Sequence, residues 1–174
     1  MADVPALQEL IELSVRGLSA DFYTHAQIDA AMTHVFGVDT RLIADGTYYV
    51  IPGEKRPMAM GGWSARRTLY GGDQMKSADD PMLDPATDPA RIRAFFVHPD
   101  FARRGLGRQI YEACERAASA AGFHRFELMA TLPGEPLYRA LGFSAVERTT
   151  VTLAGGVSVP FVRMMRRIDR GLSE

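Results

Sequence analysis

The chain has a single cysteine, Cys114, among 174 residues. One cysteine excludes an intrachain disulfide framework and any four-cysteine zinc site, and it points to a reducing compartment. Cys114 sits in a run of small residues, Ala113-Cys114 to Ala117-Ala118. It reads as a packed core residue rather than a nucleophile. Long apolar runs are also missing: no segment approaches the ~20 apolar residues that span a bilayer. Met1-Ala2-Asp3-Val4-Pro5 has no basic stretch leading into an apolar core. No secretory signal is therefore expected, no membrane partner, and a cytoplasmic location. Nor is there a surplus of charge of one sign. A net charge of -1 provides no field for bulk nucleic-acid binding.

What is present is an ordinary globular mixture. Hydrophobic residues make up 47% and charged residues 24%, enough to fill the core of one domain spanning 1–174. Helical spacing of Leu7, Leu10, Ile11 and Val15 predicts a helix over Val4 to Leu18, with Asp3 as cap and Pro5 in its first turn. A second helix is predicted from Thr24 to Val35, stopped by Gly37. Thr47 to Ile51 and Met58 to Ser64 read as a hairpin. Gly61-Gly62 marks a bulge or a close backbone approach in its second strand. Gly71 to Ala90, rich in Gly, Asp and Pro, shows no pattern. A connection of that length is either a mobile, substrate-side loop or a plain insertion.

The second half alternates regularly. Ile92 to Val97 is a strand, Gln109 to Ala121 a helix, Phe126 to Ala130 a strand and Pro136 to Leu141 a short helix closed by Gly142. Val146 to Leu153 and Val157 to Met164 form a last hairpin about Gly155-Gly156. The residues thus predict one α/β domain with a strand–helix–strand unit at its middle.

The segment His98-Pro99-Asp100-Phe101-Ala102-Arg103-Arg104-Gly105-Leu106-Gly107-Arg108 lies between that strand and that helix. A helix start presents unpaired N–H groups and the positive end of a dipole, which bind anions. Gly105 and Gly107 let backbone touch a ligand, and Arg103, Arg104 and Arg108 add charge. The turn lacks the Lys-Ser/Thr of a Walker loop. Ile110 stands where a dinucleotide fingerprint needs a small residue. A phosphate- or pyrophosphate-binding turn is the functional reading, and a solvated basic helix start the plain one.

Two motifs in order carry a resemblance. Phe96-Val97-His98-Pro99 runs into the basic Gly-x-Gly turn, and Leu137-Tyr138-Arg139-Ala140-Leu141-Gly142-Phe143 follows about thirty residues later. In this the chain resembles the GCN5-related N-acetyltransferases (GNAT), most closely from Ile92 to Phe143. The resemblance implies a central mixed, mostly antiparallel twisted sheet flanked by helices, and acetyl-CoA as cofactor. It implies that amides from Arg103 to Arg108, Leu106 included, hold the pyrophosphate. The backbone of Phe95, Phe96 and Val97 would pair with the pantetheine arm and polarise the acetyl carbonyl. Tyr138 would donate a proton to the departing thiolate; its plain reading is a packed tyrosine.

The chain departs from the family pattern in places. Ala102 opens the glycine-rich turn where Arg or Gln is usual. Thr131 replaces an asparagine that contacts the cofactor. The acidic residue at the start of the central strand, a common general base, is missing, with Arg91 and Arg93 in that stretch. The family's opening strand is not evident. Glu127, Asp39 and Asp73 are the substitute bases considered, each with a solvated or paired carboxylate as its plain reading; His98 is a weaker one. Arg66, Arg67, Arg91 and Arg93 would favour an anionic acceptor, or would guard a strand edge.

The expected activity is acetyl transfer to the primary amine of a small molecule by direct attack in a ternary complex, since neither motif holds a nucleophile. A protein lysine or N-terminus is the alternative acceptor. A non-catalytic acyl-CoA sensor is the alternative class. The apolar last hairpin would serve either as core or as a homodimer surface.

Overall fold

The computed structural model describes residues 3–168. The first helix, α1 (Val4–Leu18), turns Leu7, Leu10, Ile11 and Val15 inward as its spacing requires. Asp3 stands at the N-cap, but its side chain makes no capping bond. α2 (His25–His34) begins with a capping box: Thr24 Oγ1 accepts from the Gln27 amide at 3.2 Å and Gln27 Oε1 from the Thr24 amide at 2.9 Å. α3 (Thr40–Ala44) has no counterpart in the sequence reading. It is too short for periodicity to show, and it forms because the Asp39 side chain caps the amides of Arg41 and Leu42.

Six strands follow: β1 (Tyr48–Pro52), β2 (Pro57–Ser64), β3 (Ala90–Val97), β4 (Arg125–Thr131), β5 (Ser144–Thr152) and β6 (Ser158–Arg167). They form one sheet in the order β1-β2-β3-β4-β6-β5. Every neighbouring pair is antiparallel except β3 and β4. α4 (Leu106–Ala120) joins the parallel pair, and α5 (Glu135–Ala140) joins β4 to β5. Mixed, mostly antiparallel and flanked by helices, the architecture is the one expected. α1 is the first element among the described residues, with no strand before it.

Each face of the sheet has its own core. α4 and α5 cover one face, over Ala59, Trp63, Ile92, Leu128 and Met164. α1 and α2 cover the other, over Met60, Val159 and Phe161. Of the apolar residues of the last hairpin, Val162 is core on the first face and Val159 and Phe161 on the second, while Val146 is exposed.

The segment from Gly71 to Ala90 is folded back rather than patternless. Residues 65–67 run beside 81–83, through Arg67 N to Pro81 O at 3.0 Å and Leu83 N to Ala65 O at 2.7 Å. Buried Asp80 accepts from the Thr68 amide at 2.8 Å and from Arg41 at 3.0 Å. Its first residues lie against the end of α2, Gly72 N bonding Val35 O at 2.8 Å.

Candidate active site

The parallel ladder between β3 and β4 is two residues long, Ala90 opposite Phe126 and Arg91 opposite Glu127. Beyond it the strands part, while β4 stays paired with β6 as far as Thr131. The gap opens into a cleft of about 720 Å³ that passes from one face of the sheet to the other.

A bulge shapes the β3 wall. Met60 faces Phe96, but Gly62 faces Arg93, so β3 carries one residue more than β2 over this stretch. Ala94 takes up the excess at φ 56°. Because side chains alternate along a strand, the extra residue reverses every later one. Phe95 and Val97 share the α4 face with Ile92, and Phe96 moves to the α1 face. Gly61 makes this possible. A Cβ there would meet the Phe95 ring at 2.5 Å. The glycine pair marks a close approach, as its residues suggested, and the inserted residue belongs to the partner strand.

The basic turn forms the second wall. α4 begins at Leu106, three residues earlier than its apolar stripe indicates, so Gly107 and Arg108 lie in its first turn. Arg103 at φ 60° and Gly105 at φ 80° reverse the chain into the helix. The first amide of this stretch with a backbone partner is Gln109, which donates to Gly105 O at 3.1 Å. The amides from Arg103 to Arg108 have no acceptor among the described residues. Five of these residues line the cleft, and their amides at a helix start, beside two cleft-lining guanidiniums, suit an anion. Arg103, Gly105, Leu106, Gly107 and Arg108 line the cleft. Arg104 does not; its guanidinium lies over the Phe101 ring, 5.4 Å from the centroid.

Tyr138 closes the site on α5. A Cβ on Gly107 would lie 2.8 Å from Leu137, so this glycine lets α5 approach the start of α4. The Tyr138 ring sits between Phe95 at 6.1 Å and Phe143 at 5.8 Å. Burial pushes its hydroxyl well above the ordinary tyrosine value. The phenol thus keeps its proton at neutral pH. Thr131 also lines the cleft, but its Oγ1 accepts from the Gly134 amide at 3.1 Å and shapes the turn into α5.

Phe95, Phe96 and Val97 line the cleft, yet the Val97 amide is already taken. Ser14 Oγ of α1 accepts it at 3.2 Å. Amides alternate sides along a strand, so Phe95 N–H shares the gap side with Val97. The sequence reading also missed Tyr23. Its buried hydroxyl donates to Pro160 O at 2.7 Å and accepts from the Leu132 amide at 2.9 Å, pinning the end of β4 to β6. A single tyrosine in a loop gives no signal for such a bond.

None of the suggested bases reaches the cleft. Glu127 is bound by Arg91 and by Arg163, the latter at 2.7 Å. Asp39 is buried, capping α3 and paired with Lys76 and with Arg93 at 2.9 Å. Asp73 accepts from the Thr40 amide at 3.0 Å. His98 is buried at the far end of β3, its Nδ1 accepting from the Asp100 amide at 3.1 Å. The basic group is corrected too. Arg91 and Arg93 lie on β3, an interior strand, and guard no edge, and Arg66 bridges Met82 of the folded-back segment. Arg66 is held by Asp45 at 2.7 Å. Arg91 is held by Glu127. Arg93 alone of the four lines the cleft. There it donates to the carbonyls of Thr68 and Gly71 and pairs with Asp39.

No curated protein sequence matches the chain. Solved structures share its fold. A GCN5-related N-acetyltransferase from Rhodopseudomonas palustris aligns at 19% identity and TM-score 0.68, over 95% of this chain and 90% of its own. The PaiA N-acetyltransferase of Thermoplasma acidophilum, in complex with coenzyme A, aligns at 10% identity and TM-score 0.61, over 95% and 93%. The yncA structure from Salmonella typhimurium, with its cofactor acetyl-CoA, aligns at 16% identity and TM-score 0.59, over 99% and 92%. The sequence model of the acetyltransferase (GNAT) family matches residues 10–143. That span runs from α1 through the parted strands, the glycine-bearing helix start and Tyr138. On it, the chain belongs to the GNAT acetyltransferase family.

Proposed function

We propose that the cleft binds acetyl-CoA and that the protein transfers its acetyl group to the primary amine of a small molecule, by direct attack in a ternary complex. The observation that carries this reading is the row of unpartnered amides from Arg103 to Arg108 at the mouth of a gap between two strands. The amides and the side chains of Arg103 and Arg108 suit a pyrophosphate. The open edges of β3 and β4 suit an extended, amide-bearing arm. When bound, acetyl-CoA supplies an activated thioester carbonyl. Phe95 N–H, on the gap side, is the donor for that carbonyl oxygen. Tyr138 Oη holds the proton that the departing sulfur takes up.

The acceptor lies on the α1/α2 side of the sheet. There the residues that follow α2 (Val35 to Gly37) and the segment Leu69 to Gly72 wall the cleft. Such an enclosure suits a small molecule better than a protein surface. Among the described residues no helix is long and apolar enough to cross a membrane. We place the enzyme in the cytoplasm, where its one thiol stays reduced.

Isothermal titration with acetyl-CoA tests the site, run beside a Gly105→Glu, Gly107→Glu variant. Binding by the wild type and its loss in a folded variant is the expected result. A wild type that does not bind would remove this reading.

A further inference from the structure

Four aromatic rings gather at the α1/α2 end of the cleft: Phe36, Tyr70, Phe96 and Phe161. Phe36 meets Phe96 at 6.0 Å and Phe161 at 6.5 Å, both nearly perpendicular. Tyr70 meets Phe161 at 6.0 Å. The bulge at Ala94 supplies Phe96 to this group. They come from four separate segments, and with Met129 they form an apolar lining.

Among the described residues, the lining has no Asp, Glu or His. His34, beside Val35 at the end of α2, lies outside it. The charges it does hold are guanidiniums. Arg103 and Arg108 stand at the phosphate end, and Arg93 stands near the rings, bound to the carbonyl of Gly71 and paired with Asp39, which lies outside the lining.

An alkylamine is an ammonium at neutral pH. To enter, it must exchange water for an anion or carbonyl groups, and it must then lose a proton to a base. Among the described residues, this end of the cleft offers neither carboxylate nor imidazole. Aromatic faces attract cations, but they take up no proton, so an ammonium held there keeps its lone pair blocked. An amine on an aromatic ring avoids both difficulties. Its conjugate acid titrates well below neutrality, so it arrives uncharged with its lone pair free. Its ring packs edge-to-face in an aromatic lining.

Resting on the acetyltransferase reading above, we infer that the acceptor is a weakly basic, neutral aromatic amine. The nitrogen forms the new C–N bond and the C–S bond breaks. The nitrogen gives up one proton and the sulfur gains one, through Tyr138 Oη. No side-chain base is required.

The test measures thiol release from acetyl-CoA with matched primary amines: 4-methoxyaniline, 2-phenylethylamine and spermidine. The expected result is a kcat/KM for 4-methoxyaniline about tenfold or more above the others near neutral pH, unchanged as pH rises. Phe36→Ala, at a partly buried position, is expected to raise KM for the aromatic amine with the acetyl-CoA Kd unmoved. Titration with 4-acetamidoanisole gives a readout independent of turnover, with binding expected in the wild type and weakened in Phe36→Ala. Preference for 2-phenylethylamine or spermidine, with a rate rising about tenfold per pH unit, overturns the inference. So does acetyl-CoA binding without turnover of the aromatic amine. Both leave the acetyltransferase reading standing. Failure of acetyl-CoA itself to bind removes the two together.

Discussion

Tyr138 depends on its neighbours for its chemistry. Packed between two phenylalanines, its hydroxyl is held protonated by burial. Its pKa is raised, so the donating form persists from acid through neutral pH and is lost only above the ordinary value of 10.0. Tyr138→Phe is therefore expected to lower kcat about 10²-fold with the acetyl-CoA Kd unchanged. In the wild type, the kcat profile should show no fall from this group up to at least that value. Steady-state kinetics and titration calorimetry measure both. Gly61 makes a second point at this scale. A methyl group there meets the Phe95 ring at 2.5 Å, in a strand with little room to shift. Gly61→Ala should displace Phe95, lower acetyl-CoA affinity about tenfold or more and leave a folded protein, read by calorimetry with circular dichroism.

The element scale shows what could be read beforehand. The helix α1, both hairpins, the strand β3 and the order of all of these were legible, because periods of two and near four residues repeat over many positions. The glycine-bearing turn and Tyr138 were legible as motifs. Three things were not. α3 rests on one capping carboxylate, Asp39, and five residues show no period. The ordering of Gly71 to Ala90 depends on Asp80 meeting Thr68 and Arg41 across the fold. The aromatic group draws Phe36, Tyr70, Phe96 and Phe161 from four separate segments, and nothing local announces such a meeting. The same distance explains the misplaced bases. Glu127 meets Arg91 and Arg163, each 36 residues away, and Asp39 meets Arg93 across the fold, so which carboxylates are paired could not be read locally. One element has a local test: Thr24→Ala removes half of the capping box of α2 and should cost about 1 kcal/mol in chemical denaturation.

Over the whole molecule, two half-sheets meet at a seam two residues long, and an ion ladder closes it. Arg91, Glu127, Arg163 and Glu147 step across β3, β4, β6 and β5. The folded-back segment is tied at Asp80. Burial would raise that carboxyl, but hydrogen bonds from Thr68 and Arg41 outweigh it and hold the value below the ordinary 3.8. In the window below 3.8 the unfolded chain binds more protons than the folded one. This contribution to stability is complete above that window and is lost as pH falls through the folded value. Asp80→Asn should lower stability at neutral pH by about 2 kcal/mol and flatten the acid limb. Urea melts at several pH values measure it. Cys114 has a consequence at this scale as well. Its thiol is wholly enclosed, and burial drives its ionisation far above the ordinary range. A reagent that colours on meeting a thiolate will not register the native protein. Every count in a release assay then belongs to the product, without a blank for the enzyme itself, and a rising blank becomes a direct report that the fold has opened.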